Sequence, residues 1–298
     1  MDVDLRTTTP AGTLYVGVDR SPCARLALRW AAGAAGLLDL PLRVVEAWQY
    51  PSDTVAHLGT LTLHGPAETD ARLARELQHL VAEVVGTDHG LDLAVEVVRG
   101  PTTPALIHLA DAHAAMIVVG SRGLGGIRGT VLGSVSRQLC EHAPCPVTVV
   151  RHVAGDAPVT LDTIVVGVDG SAHAERALGV AAGLAARAGS RIVAVHAAEP
   201  GAVPDPSVHP LASTGRNLPD LLDRWCEPLR AHGLVGHDAV IAEGDPRTAL
   251  MDVAEERGAD LLVVGSRGLG PVSALLLGSV ASSLIQHAPV PVTVVPRR

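Results

Sequence analysis

Residues 118–125 read VVGSRGLG, and the same eight letters return at residues 263–270. Two other stretches repeat in the same order. VGVD at 16–19 returns at 166–169, and HAPCPVTVV at 142–150 returns with one change at 287–295. Ordered repeats of this length indicate a duplicated domain. We therefore predict two copies, residues 1–152 and residues 153–298, with a linker around 151–162 that contains Gly155 and Pro158.

Each copy alternates apolar runs with helical patterns, which is typical of a parallel α/β sheet. A helix opens at Ser21-Pro22, because serine is a favoured N-cap and proline a favoured first helical residue. The second copy repeats the pattern from Thr163. The fold class predicted is α/β, a tandem pair of doubly wound, five-stranded parallel sheets of Rossmann-like type, whose ligands bind beyond the carboxyl ends of the strands. In the first copy the other predicted elements are strands at 13–18, 42–47, 93–98, 115–119 and 146–150 and helices at 68–85, 104–114 and 133–142.

The composition excludes several classes of protein. The 298 residues include 23 basic and 31 acidic side chains, and every basic one is arginine, because the chain has no lysine. P-loop NTPases, protein kinases and Schiff-base enzymes all need a lysine. A net charge of −8 with scattered arginines also argues against a nucleic-acid partner.

No apolar run is long enough for a membrane helix, and we expect a soluble, cytoplasmic protein with no membrane partner. The four cysteines lack metal or disulfide spacing and are interpreted as reduced. The histidines form no H-x-x-x-H pair and no Ser-His-Asp arrangement is evident, so we predict neither a metal site nor catalytic residues.

The glycine loop is the strongest candidate binding motif. Gly120, Gly123 and Gly133 follow a predicted buried strand, and Ser134 begins the next helix. Glycine permits positive φ and close backbone approach, so backbone N–H groups can point at an anion. A helix N-terminus adds further donors, which together would make a phosphate site without lysine. The alternative is that the glycines only allow turns between packed elements.

Asp19 and Asp169 end the first strand of each copy, at the edge where a ligand would lie. Their carboxylates could accept hydrogen bonds from ribose hydroxyls or a base amine. The alternative is a cap on the following helix, a role that Ser21 and Ser171 are also placed to fill.

These residues resemble the universal stress proteins, in their tandem two-domain form, over nearly the whole chain. The G-2x-G-9x-G-[ST] spacing after a V-V-G strand and the H-A-x-x-P-V ending carry the resemblance. It implies ATP, with or without Mg²⁺, between the first and fourth strands, with its adenine contacted by the backbone of Ala47 or Ala197. The predicted nucleotide contacts are Asp19, Ala47, Gly120, Arg122, Gly123, Arg128, Gly133, Ser134, Val135 and Ser136 in the first copy, and Asp169, Ala197, Gly265, Arg267, Gly268, Gly278, Ser279 and Val280 in the second.

The two copies differ within the loop. The first has Gly126 and Arg128, whereas the second has Pro271 and Ser273. Proline removes an N–H donor, so we expect weaker binding at the second site. Arg122 and Arg267 are shared by both copies, and a solvated surface role for them is as well supported as a phosphate contact.

The last strand of each copy is apolar and should lie at a sheet edge, which favours pairing. The resemblance implies that these two strands pair across a pseudo-twofold axis to form an intrachain dimer; a further homodimer is compatible with the sequence.

The leading functional hypothesis is a non-catalytic, ATP-binding regulator of stress or growth arrest, acting on an unknown regulatory protein partner through nucleotide-dependent shape. A slow ATP-hydrolysing or adenylyl-transferring enzyme is the first alternative. A nucleotide-free scaffold or chaperone-like dimer is the second.

Overall fold

The computed structural model describes residues 12–49, 65–110, 114–123, 132–151, 158–198, 218–231, 233–234, 237–269 and 277–296. The first copy contains strands β1 (Thr13–Gly17), β2 (Leu42–Trp48), β3 (Leu93–Arg99), β4 (Ala114–Gly120) and β5 (Val147–Val150), and helices α1 (Pro22–Leu38), α2 (Pro66–Val84), α3 (Thr102–Ala110) and α4 (Ser134–His142). The second contains strands β6 (Thr163–Gly167), β7 (Arg191–Ala198), β8 (Asp238–Glu243), β9 (Leu261–Gly265) and β10 (Val292–Val295), and helices α5 (Ala172–Ala188), α6 (Leu218–Trp225), α7 (Glu227–Ala231), α8 (Pro246–Glu256) and α9 (Ser279–His287).

The strands form one ten-stranded sheet in the order β3-β2-β1-β4-β5-β10-β9-β6-β7-β8. All pairs within a copy are parallel, and only the central pair, β5 with β10, is antiparallel. The prediction of two five-stranded parallel sheets joined through their last strands is therefore confirmed. Because the central pair is antiparallel, the carboxyl ends of the two sets of strands lie at opposite edges of the sheet.

Helices cover both faces of the sheet, as a doubly wound fold requires. One buried cluster packs strand residues against α1, α2 and α5, and the other packs them against α3, α4, α8 and α9. The central strands are apolar on both faces because both are covered. Every residue of β5 and of β10 is buried.

The first helix of each copy begins at the serine N-cap that the sequence indicates. Ser21 is the N-cap of α1, and its Oγ accepts the N–H of Ala24 at 3.2 Å. Ser171 caps α5 in the same way, through the N–H of Ala174 at 3.2 Å. In both copies the serine, rather than the preceding aspartate, caps the helix.

The predicted limits of α3 and the predicted start of β4 are wrong. The helix expected at 104–114 begins at Thr102 and ends at Ala110, and Ala114 belongs to strand β4. The helix starts early because the carbonyl of Pro101 accepts the N–H of Ala105 at 3.1 Å. Ala114 belongs to the strand because it pairs with Thr13 of β1. An alanine-rich sequence does not indicate this pairing.

The two copies meet at a buried seam between β5 and β10. Thr148 and Thr293 face each other in the register, and their hydroxyl oxygens are 2.8 Å apart. Arg187 of α5 also donates to the carbonyls of Leu38, at 2.7 Å, and Asp39 at the end of α1. The predicted domain limit at 152/153 lies outside the described residues.

Candidate functional site

Each copy has a cleft at the carboxyl edge of its strands, beside the glycine loop. The first cleft has a volume of about 720 Å³ and the second about 480 Å³. The first is lined by eight of the ten predicted contacts of its copy, Asp19, Gly120, Arg122, Gly123, Gly133, Ser134, Val135 and Ser136. The second is lined by all eight predicted contacts of its copy, Asp169, Ala197, Gly265, Arg267, Gly268, Gly278, Ser279 and Val280.

The described ends of each loop are tied together by backbone hydrogen bonds. The N–H of Gly133 donates to the carbonyl of Ser121 at 2.7 Å, and Gly278 donates to Ser266 at 2.8 Å. The loop therefore leaves the strand and enters the helix at nearly one point, next to the cleft. Arg128, Gly126, Pro271 and Ser273, on which the predicted difference between the loops depends, lie outside the described residues.

Four of the six loop glycines are required by close approach rather than by backbone conformation. None of the six has a positive φ. A Cβ on Gly120 would lie 2.7 Å from the backbone of Cys23, and a Cβ on Gly265 would lie 2.7 Å from His173. A Cβ on Gly123 or Gly268 would overlap the carboxylate of Asp19 or Asp169.

No side chain caps the first turn of the two helices that begin at the clefts. Gly133 is the N-cap of α4 and Gly278 the N-cap of α9, and neither helix has a side-chain cap hydrogen bond. By contrast, α1, α5 and α8 are capped by serine or aspartate. The N–H groups and the partial positive charge of α4 and α9 are thus directed to the clefts, an arrangement suited to an anion.

Ser136 supports the glycine loop through hydrogen bonds to its backbone. Its buried hydroxyl donates to the carbonyls of Ser121 at 3.3 Å and Gly133 at 3.1 Å, so its hydrogen is directed at the loop. The second copy has Ala281 at this position. A phosphate contact from Ser136 stays a prediction, while its contacts in the structure support the loop.

The two copies differ at the end of the cleft where the sequence predicts a contact to adenine. Ala197 lines the second cleft, but Ala47 is not among the described residues that line the first. Beside Ala47, Arg20 forms ion pairs with Glu46 at 3.1 Å and with Glu76 of α2. Burial raises the pKa of the Glu46 carboxyl, although the hydrogen bond from Arg20 opposes this.

The second copy has an aromatic contact where the first has this ion pair. Gly170 stands in place of Arg20, and His196 in place of Glu46. The ring of Trp225 fills the space beside Gly170, 2.6 Å from where a Cβ would lie, and meets the ring of His196 edge-on with centroids 5.1 Å apart. His196 Nδ1 lies 2.8 Å from the carbonyl oxygen of Val168.

Sequence reasoning missed Arg20, Glu46, His196 and Trp225. The available signal was the change from Asp-Arg at 19–20 to Asp-Gly at 169–170 within an otherwise repeated motif. Arg20 has a φ of 64°, a left-handed conformation that is costly for arginine and free for the glycine of the second copy.

Within the described ranges, no group of three or more His, Cys, Asp or Glu side chains could hold a metal ion. Burial raises the pKa of Cys140 and of Cys145 to about 12 and that of Cys226 to about 11, so these thiols stay protonated at neutral pH. No described helix is both long enough and apolar enough to span a bilayer.

The glycine loop, the cleft and the topology occur twice, and a comparison of the sequence with known families gives the same division. The model of the Universal stress protein family matches residues 12–151 and, again, residues 160–296. The chain belongs to the universal stress protein family.

Relatives of this universal stress protein match it over nearly their full length. A universal stress protein of Mycobacterium tuberculosis is 32% identical, over 94% of this chain and 94% of the relative. One of Mycolicibacterium smegmatis is 34% identical, over 98% of this chain and 99% of the relative. The crystal structure of a universal stress protein from Archaeoglobus fulgidus shares the fold at 23% identity, with a TM-score of 0.69 and coverage of 96% of this chain and 98% of that one.

Proposed function

We propose that this universal stress protein binds ATP in both clefts and acts as a non-catalytic regulator of the response to stress or growth arrest. The observation that carries the proposal is the duplicated glycine loop. In each copy it follows a buried strand, closes on itself and enters a helix whose N-cap is a glycine. Strand, loop and helix N-terminus in this arrangement are suited to a phosphate chain.

The lining residues fit a triphosphate without lysine. Backbone N–H groups of the first turns of α4 and α9 would donate to the phosphates, and the hydroxyls of Ser134 and Ser279 would add donors. Arg122 and Arg267 line the clefts and supply positive charge. Mg²⁺ would be bound through the phosphates of the nucleotide.

The two sites are proposed to be unequal. In the second cleft, Ala197 at the end of β7 is placed to contact adenine through its backbone. The first cleft is larger by about half and is not lined by Ala47, so a backbone contact to adenine is less well supported there. The adenine end therefore favours tighter binding in the second cleft, whereas the loop sequence favours tighter binding in the first. Measured stoichiometry and affinities of ATP binding decide between these two rankings.

Regulation would act through the cleft surface. A nucleotide that binds one shape of the cleft better than another shifts the protein toward that shape. A partner protein that contacts this surface would then bind in a nucleotide-dependent way.

The test is to place a negative charge where the phosphates would lie. We expect Gly123→Glu together with Gly268→Glu to weaken ATP binding by at least about 100-fold, or about 2.7 kcal/mol, because the carboxylates repel the phosphates and fill the loop. Isothermal titration calorimetry measures this, and the nucleotide released from freshly purified protein identifies the natural ligand. Gly65→Glu is the matched control, because a Cβ there meets nothing within 4 Å. Unchanged ATP affinity in the double variant would refute the proposal.

A further inference from the structure

Asp169 connects two distant segments through its carboxylate. It lies just beyond β6, and its Oδ1 accepts the N–H of Ser171 at 2.9 Å. Its Oδ2 accepts the N–H of Leu269, in the glycine loop, at 3.1 Å. The loop follows β9, the neighbour of β6 in the sheet, so one carboxylate joins the carboxyl ends of two adjacent strands.

This contact explains why residue 268 is glycine. A Cβ at Gly268 would overlap Oδ2 of Asp169 and lie 3.5 Å from its Cγ. Any larger residue would push the carboxylate away from the N–H of Leu269. The glycine is therefore needed for the aspartate to reach the loop.

The first copy repeats two of these contacts among its described residues, the one to the serine N–H and the one to the loop glycine. Asp19 Oδ1 accepts the N–H of Ser21 at 3.1 Å. A Cβ at Gly123 would overlap Asp19 Oδ2 and lie 3.2 Å from Cγ. The aspartate and the glycine thus form a matched pair in both copies, although they are about 100 residues apart in the sequence.

We infer that Asp169, and Asp19 by the same geometry, are positioning residues that hold the glycine loop against the end of the first strand. An ionised carboxylate makes strong hydrogen bonds to backbone N–H groups, and here each oxygen of Asp169 already accepts one. This role differs from the ribose contact expected from the sequence. Its consequence for nucleotide affinity rests on the proposed function.

A double-mutant cycle tests the pair. In a Gly123→Glu background, which leaves only the second cleft to bind ATP, Gly268→Ala and Asp169→Ala are each expected to weaken ATP binding about tenfold. The double variant should bind no more weakly than Asp169→Ala alone, because the methyl group occupies the space that the carboxylate leaves. Additive losses would overturn the inference.

Gly278→Ala provides the matched control for this cycle. A Cβ there would meet the carbonyl oxygen of Ser266 and the Cα of Arg267 at 3.3 and 3.4 Å, with no contact to Asp169. Its effect on ATP binding should therefore add to that of Asp169→Ala.

Hydrogen exchange tests the inference without a nucleotide. In the ligand-free protein, the amide of Leu269 should be protected in the wild type and exchange at least about tenfold faster in Asp169→Ala. Equal exchange rates would overturn the positioning role. A wild-type protein that binds no ATP would instead refute the proposed function, and this measurement would still decide the role of Asp169.

Discussion

Gly120 shows what a single missing side chain does at the cleft. It ends β4, and its Cα lies against the first turn of α1, where a Cβ would be 2.7 Å from the carbonyl carbon and oxygen of Cys23. Backbone atoms cannot rotate out of the way as a side chain can. The strand end can therefore approach the helix this closely only with glycine at this position.

We expect Gly120→Ala to destabilise the fold by about 1–3 kcal/mol, because the added methyl group overpacks against fixed backbone. Denaturant unfolding measures the change in free energy. Gly36→Ala on α1 is the control: its Cβ would make an ordinary contact with Leu91 at 3.4 Å, and alanine is a better helix former by about 0.5–1 kcal/mol. Equal effects from the two substitutions would contradict the close-approach explanation.

At the scale of residues, the sequence located the motif but not the reason for each glycine. The spacing of Gly120, Gly123 and Gly133 is readable directly, and glycines in a loop suggest positive φ, which none of these three has. The true requirement depends on Cys23 and Asp19, which approach the loop only after β1 and β4 pair. No local pattern encodes that approach.

Helix α8 shows how a charged cap stabilises an element beside the second cleft. The Asp245 side chain accepts the backbone N–H of Arg247 at 2.9 Å and also pairs with the Arg247 guanidinium at 2.6 Å. The hydrogen bond from the Arg247 side chain is the largest cause that lowers the pKa of Asp245, from 3.8 to about 2. The first copy has Pro101 at the matching position and lacks this cap.

We expect Asp245→Asn to lower the Tm at neutral pH, because asparagine keeps a cap acceptor but loses the charge that pairs with Arg247 and with the helix dipole. A pKa lowered by folding adds stability above the unfolded value, and this stability is lost as the pH falls through the folded value. The Tm difference from wild type should therefore shrink as the pH falls from 3.8 towards about 2. Thermal unfolding across this range checks it, with Asp252→Asn on the exposed face of α8 as the control. A difference that does not change with pH would contradict the ionic cap.

Most of the elements were predictable because their signals are local. Ser21 and Ser171 mark the starts of α1 and α5, and apolar runs mark the buried strands. The limits of α3 and the start of β4 were not, because Ala114 joins the sheet through its pairing with Thr13. Alanine fits either a helix or a strand, so tertiary pairing decides.

The molecule as a whole is held together by the seam at the centre of its sheet. Thr148 and Thr293 share a hydrogen bond of 2.8 Å in a fully buried position, and Thr148 also contacts the sulfur of Met116 at 3.0 Å. Valine surrounds the pair along both strands. A polar pair in an apolar seam stabilises the register only while both hydroxyls are present.

We expect Thr148→Val to destabilise the protein by about 1–3 kcal/mol, because it leaves the Thr293 hydroxyl buried without its partner. Thr148→Val combined with Thr293→Val should recover most of this loss, since two apolar groups of the same shape replace the pair. Urea unfolding of the single and double variants measures both values. A double variant that loses the sum of the two single effects would show that the hydroxyls act independently.

The sequence by itself determined the duplication, the α/β class, most element limits and the position of the glycine loops, because each of these is encoded in contiguous residues with a characteristic period or spacing. Only the tertiary structure decided which contacts distinguish the two clefts, the Arg20–Glu46 ion pair in one copy and Trp225 against Gly170 in the other. It also decided that Asp169 contacts the loop through the N–H of Leu269. These contacts join residues from 26 to about 100 positions apart, and such pairs meet only when strands and helices pack. A stretch of sequence can therefore show a changed residue such as Gly170, but not the partner that it contacts.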